Sequence, residues 1–236
     1  MKSWKLILGL FVVLLIVGCI QQTPGKTINT NGQASMSVEP DLAVVYAAIE
    51  TLDESAELSK DENSRITDAV YAELYKIGID RENIETESYN IYEEFDWSNN
   101  QRESKGFRTS HTLKIKTEQF DDVGEIIDAV IDGGATRINY INFELSDELE
   151  KEYKKQVLAD ASKDAREKAE AIAEGLGATL GDLVSISDSS YYYQPYPLFR
   201  AEAGFDEVAV KEAVATQISP RDLEISANVQ VVYKIK

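Results

Sequence analysis

Alternation and helical period divide the chain into ten predicted elements. Thr27 to Val38 alternates through Ile28, Ala34, Met36 and Val38, with Asn31-Gly32 as a turn or bulge signal, and Pro40-Asp41 breaks it. Leu42 to Leu52 is apolar on both faces for part of its length, the pattern of a central strand covered on both sides. Asp53 to Lys76 changes to helical period, with Leu58, Ile66, Ala69, Val70, Leu74 and Ile77 near one face and Gly78 placed to stop it. Ile84 to Trp97 and Phe107 to Lys116 alternate again around the polar turn Ser98-Asn99-Asn100-Gln101, which predicts a hairpin. Phe120 to Asp132 reads as a short helix ended by Gly133-Gly134, and Ala135 to Leu145 as a strand. The longest helix spans Ser146 to Gly175, with Ser146 as N-cap and acids in its first turn. On that helix Tyr153, Val157, Ala161, Ala165, Ala169 and Ala173 recur every fourth residue, a stripe of small side chains suited to close packing. Leu180 to Ser187 is a strand, Ser189 to Ser219 is irregular and aromatic-rich, and Leu223 to Ile235 is a half-buried strand.

The order is therefore ββ-α-ββ-α-β-α-β-β. It predicts an α+β fold with a mixed, largely antiparallel sheet and three packed helices, in one domain over residues 27–236.

The residues before that domain read as an address. Lys2 and Lys5 precede the apolar run Leu6 to Val17, which is short for a spanning helix but fits the core of a signal peptide. Ile16-Val17-Gly18-Cys19 follows. It resembles the lipobox of prokaryotic lipoproteins, and that resemblance implies cleavage of residues 1–18 and a diacylglycerol thioether on Cys19. Residues 19–26 have no apolar period and read as a lipid-bearing flexible tether. The expected location is extracytoplasmic, anchored to the outer face of a cell membrane.

Charge narrows the partners. The chain carries a formal −18, and removing residues 1–18 leaves 22 basic against 42 acidic side chains, or −20. Phosphate backbones need clustered Lys and Arg, so nucleic acid is not an expected partner. Cys19 is the only cysteine, so no disulfide forms within the chain.

Candidate chemistry is sparse. His111, the only histidine, lies inside an alternating strand and has no Gly-x-Ser-x-Gly elbow to serve. Gly175 to Gly181 is glycine-rich but follows a helix and precedes a strand, the reverse of a phosphate-cradling loop. Glu93, Glu94 and Asp96 are a possible weak cation site, though they lack the ladder of an EF-hand loop, and a solvated charged edge is the simpler reading. No catalytic residue, metal site or cofactor is expected. The most unusual segment is Tyr191-Tyr192-Tyr193-Gln194-Pro195-Tyr196-Pro197-Leu198-Phe199. Its prolines forbid regular helix, and its aromatics (Tyr191, Tyr192, Tyr193, Tyr196, Phe199) suit either a lid over the chain's own core or an interface.

Several stretches in order resemble the SIMPL family, also called domain of unknown function 541. They include Val38-Glu39-Pro40-Asp41-Leu42-Ala43, Ile84-Glu85-Thr86 with Tyr89-Asn90-Ile91, Gly133-Gly134-Ala135, and Phe143-Glu144-Leu145-Ser146-Asp147. They continue with Ala161, Ala165, Lys168-Ala169-Glu170, Ala173 and Leu176-Gly177, then Ile218-Ser219-Pro220 before Leu223-Glu224-Ile225-Ser226-Ala227. One departure is Arg221-Asp222 after Pro220, where the family usually has glycine. The resemblance implies an α+β fold and, from some bacterial members, assembly into rings or barrels, and it carries no catalytic residues. The expected function is a non-enzymatic, self-assembling or partner-binding envelope module, with a homo-oligomer as partner and the membrane reached through Cys19. The alternative is a small-ligand or cation-binding protein, or a hydrolase with a carboxylate-based site.

Overall fold

A computed structural model describes residues 25–97, 102–200 and 220–236. Among the described residues eight strands and three α-helices run in the order β1 (Thr27–Val38), β2 (Leu42–Asp53), α1 (Ala56–Lys76), β3 (Ile84–Asp96), β4 (Glu103–Thr117), α2 (Val123–Asp132), β5 (Arg137–Glu144), α3 (Asp147–Gly175), β6 (Leu180–Tyr193), β7 (Tyr196–Arg200) and β8 (Leu223–Ile235). This is the α+β class that the pattern predicts. Two details differ. The strands form two sheets, β3-β4-β2-β5-β7 and β1-β8-β6. The aromatic segment is also not irregular: β6 runs on to Tyr193, and β7 follows after a two-residue break. Tyrosines favour extended backbone, and β7 has a free strand edge to pair with.

The described residues fall into two compact units, one of residues 34–97, 102–160, 190–200 and 220–227, the other of residues 25–33, 161–189 and 228–236. In the larger unit β2 is the central strand, and Ala43 to Ile49 are buried without a break. Its alternate residues Ala43, Val45, Ala47 and Ile49 share one core with Val70 and Leu74 of α1, and with Val123, Ile126 and Val130 of α2. Removing a large side chain from such a core costs about 2–5 kcal/mol. On the opposite face Tyr46 stacks on Tyr140 with ring centroids 4.1 Å apart. Gly78 takes φ +87° after the last turn of α1, the left-handed conformation that glycine adopts most readily.

The entry to α3 is clasped. Asp41, in the break after β1, accepts from the Ser146 backbone N (2.7 Å) and from the Ser146 hydroxyl (2.6 Å), while Ser146 Oγ accepts from Leu149 N at 3.4 Å. Asp41 thus fixes the residue that caps the long helix. Asp222, in the segment where this chain departs from the usual glycine, accepts from the Ser37 hydroxyl at 3.0 Å.

In the smaller unit Ala161, Ala165, Ala169 and Ala173 are all buried, so the alanine stripe is the packed face of α3. The strand against it is β1, which runs straight through Asn31-Gly32 with no turn. Gly32 is needed for another reason. A Cβ there would lie 2.0 Å from the Ala161 carbonyl oxygen and 2.5 Å from the Ala165 nitrogen. Thr30 Oγ1 also donates to the Ala165 carbonyl at 2.9 Å. Helix and strand therefore meet backbone to backbone, which only small residues allow.

Candidate interaction surfaces

The tyrosine segment divides by direction. Tyr193 turns in, and its hydroxyl accepts from Leu145 N at 2.7 Å at the end of β5. Burial pushes its pKa up to about 12. Tyr191 is half-buried, with Lys154 Nζ 4.9 Å from its ring centroid. Its hydroxyl faces the Glu150 carboxylate without closing a well-formed hydrogen bond, and burial, with the Glu150 charge, raises its pKa to about 12. Tyr192 points outward, 60% exposed, with its hydroxyl on Gln194. Tyr196 and Phe199 lie in β7, opposite Phe143 and Ile141 of β5. Part of the segment therefore completes a sheet and part is surface.

The acids at the end of β3 are not drawn together. Glu93 accepts from Ser104 Oγ at 2.7 Å. Glu94 pairs with Arg108, which holds its carboxyl below the usual range. Asp96 lies 3.7 Å from Lys105. Arg108 also reaches Glu50 at 3.3 Å, and Arg137 holds the same carboxylate at 2.7 Å. Among the described residues no group of three or more His, Cys, Asp or Glu side chains is arranged to hold a metal. Cys19 lies outside the described residues.

His111 belongs to a buried polar seam that the helical period did not reveal. The expected apolar face of α1 included Leu58, which is 54% exposed; the buried positions are Ser59, Asn63, Thr67, Val70 and Leu74. The first three are held by hydrogen bonds to the sheet. Ser59 Oγ donates to Thr109 Oγ1 or the Thr51 carbonyl (2.9 and 3.2 Å), and Asn63 Nδ2 to the Ile49 carbonyl (2.9 Å). The Thr67 hydroxyl gives its only hydrogen to the Asn63 carbonyl at 2.8 Å, so it accepts from His111 Nδ1–H at 3.1 Å. His111 Nε2 then accepts from the Thr86 hydroxyl at 3.0 Å. The ring lies edge-on to Tyr89, and burial lowers its pKa, which favours the neutral form. The sequence signal was Ser59-Asn63-Thr67 at four-residue spacing.

A cleft of about 1310 Å³ opens in the larger unit, lined by Glu82, Glu118, Asp122, Asp147 and Glu148 with Lys116 and apolar Leu42, Ile77 and Ile79. Its acids come from three separate stretches of sequence, so no local motif announced it.

The two outer edges of the three-stranded sheet differ. Along β1 the Asn31 carbonyl accepts from Lys168 Nζ at 3.2 Å, and Gln33 N donates to Asp164 at 2.8 Å. These two side chains of α3 pair with each other at 2.6 Å and cap that edge. Along β6, Leu183 and Val184 are each 49% exposed and Ile186 is 61% exposed.

These features define a two-sheet α+β protein whose buried polar groups bind its own elements together. The chain belongs to the SIMPL family: the family profile, described as a protein of unknown function (DUF541), matches residues 28–233. No curated protein is similar enough to the chain to count as a match. Among the described residues no helix is long and apolar enough to cross a membrane.

Proposed function

We propose that the chain is a non-enzymatic module of the cell envelope, held on the outer face of a membrane by lipid on Cys19 and acting by association with copies of itself. The observation that carries this reading is the apolar run that follows Lys2 and Lys5 and ends at Gly18-Cys19. Lipid contributes about 0.8 kcal/mol per buried CH₂, so a two-chain anchor holds firmly without a spanning helix. Two further features support the reading. The groups best suited to chemistry are engaged in holding the fold: His111 between two threonines, Asp41 on Ser146, Arg108 on Glu94 and Glu50. The surface meanwhile exposes aromatics, Tyr89, Tyr92 and Tyr192 among them. Tyrosine presents contact area at low entropy cost.

Intact-mass analysis of protein from native membranes tests the anchor. A mature chain starting at acylated Cys19 is expected, with Cys19→Ser accumulating as unprocessed precursor. A native chain that starts elsewhere and carries a free thiol would overturn it.

The acidic cleft favours a second reading, a binder of small cationic ligands or divalent cations. It places five carboxylates against one lysine. Calorimetric titration with calcium and with a polyamine decides it: heat that saturates, and that Glu118→Gln with Asp122→Asn abolishes, supports the cleft. No saturable heat sinks it.

A further inference from the structure

We infer that β6 is an isologous docking edge, on which a second copy of this chain adds its own β6 antiparallel to the first across a twofold axis. This rests on the self-association reading above and assigns it a surface. Thr179 and Lys236 exchange both backbone hydrogen bonds, each 2.9 Å, so the residues of β6 that face β8 are counted from Thr179 in steps of two. Gly181 beside Lys234 keeps that count. The backbone groups of Asp182, Val184 and Ile186 then point to the outer side, where no strand pairs with β6 among the described residues. The side chains there are apolar and exposed, Leu183, Val184 and Ile186, with no charge from Leu183 to Ser187. Edge strands are normally blunted by charge, proline, a bulge or a covering element. Leu183 to Ser187 carries no charge and no proline, and no strand covers it among the described residues.

Two facts commit the occupant to a second β6. A head-to-tail arrangement would need the β1 edge, and Asp164 and Lys168 already occupy its outward groups at Asn31 and Gln33. Charge is the other. Two mature chains of net −20 repel over most of their surface, and the uncharged run of β6 is where they approach at least cost. Pairing Val184 with Val184 keeps the outward hydrogen-bonding residues in register and sets Asp182 opposite Ile186, so the two aspartates do not face each other. The contact is a short ladder, below the roughly 1,200 Å² of a standard interface, so the dimer belongs to the weak class.

The test uses the full chain in its membrane. Val184→Cys adds one thiol to a chain whose own Cys19 is lipidated on this reading. Antiparallel partners lie about 5.5 Å apart at such a position, within disulfide reach. Mild oxidation should give a covalent dimer for Val184→Cys and none for Leu176→Cys, which is at least as exposed. Val184→Pro removes an outward N–H, and Val184→Lys adds charge to the edge. Both should shift the detergent-extracted protein toward monomer in sedimentation, with an unchanged circular dichroism spectrum. If Val184→Pro perturbs folding, Val184→Lys and the cross-link still decide. A wild-type oligomer that gives no Val184→Cys dimer and survives Val184→Lys overturns the β6 edge and leaves self-association standing. A wild-type chain that stays monomeric at every accessible concentration, with no Val184→Cys cross-link in the membrane, overturns both.

Discussion

Helices α1 and α3 pack by opposite chemistry. On α3 the buried stripe is Ala161, Ala165, Ala169 and Ala173, and the contact with β1 is tight enough to exclude a Cβ at residue 32. On α1 the N-terminal half buries Ser59, Asn63 and Thr67, and hydrogen bonds to β2 and β4 replace apolar contact. The alanine stripe sets how close a helix comes. The polar seam sets its register, because each donor needs one particular acceptor. A dry face tolerates any residue of the right volume; a polar face tolerates only the right partner.

Substitutions at the two faces separate these rules. Gly32→Val should have the largest effect, more than about 3 kcal/mol, since the clash is with backbone that cannot swing aside. Ala165→Leu should cost about 1–3 kcal/mol by pushing α3 off its support. Asn63→Ala leaves the buried Ile49 carbonyl short of a donor and should cost about 1–3 kcal/mol, while Leu58→Ala, on the exposed side of the same helix, should cost far less. Denaturant titration of each variant supplies the numbers. An Ala165→Leu protein as stable as wild type would contradict the close contact on α3.

The seam also predicts a pH dependence. Burial lowers the His111 pKa in the fold, so between the folded and unfolded values the unfolded chain binds the extra proton. Its contribution is complete above the unfolded value of about 6.5 and is lost as pH falls below it, at up to about 1.4 kcal/mol per pH unit. Stability measured from pH 7.5 down to 5.5 should fall in wild type and fall less in His111→Gln. Equal slopes would mean that the ring does not titrate with unfolding. The smallest effect should come from the tyrosines: Tyr193→Phe loses the bond to Leu145 N and about 1 kcal/mol, whereas Tyr192→Ser, on an exposed side chain, should leave stability unchanged.

The order of elements was legible because alternation and helical period report burial directly. Leu42 to Ile49 and Leu223 to Val231 show burial on two faces and on one. The α1 seam was not legible, since Ser, Asn and Thr look like a solvated face until their acceptors are known. The strand Tyr196–Arg200 was hidden by Pro195 before it and Pro197 within it, which an outermost strand accommodates. Asn31-Gly32 read as a turn or bulge because glycine's two uses, left-handed backbone and close approach, look alike in one dimension. The acidic triplet was visible, but its partners Arg108, Ser104 and Lys105 come from the facing strand. The cleft and the outer position of β6 are products of tertiary assembly and have no local motif.

The central claim is that this protein works by association on a membrane surface. Sedimentation equilibrium of the full chain, extracted from its membrane in mild detergent, measures that directly. The account predicts a discrete assembly that dissociates on dilution and shifts toward monomer in Val184→Lys. A single monomeric species at every accessible concentration would contradict it.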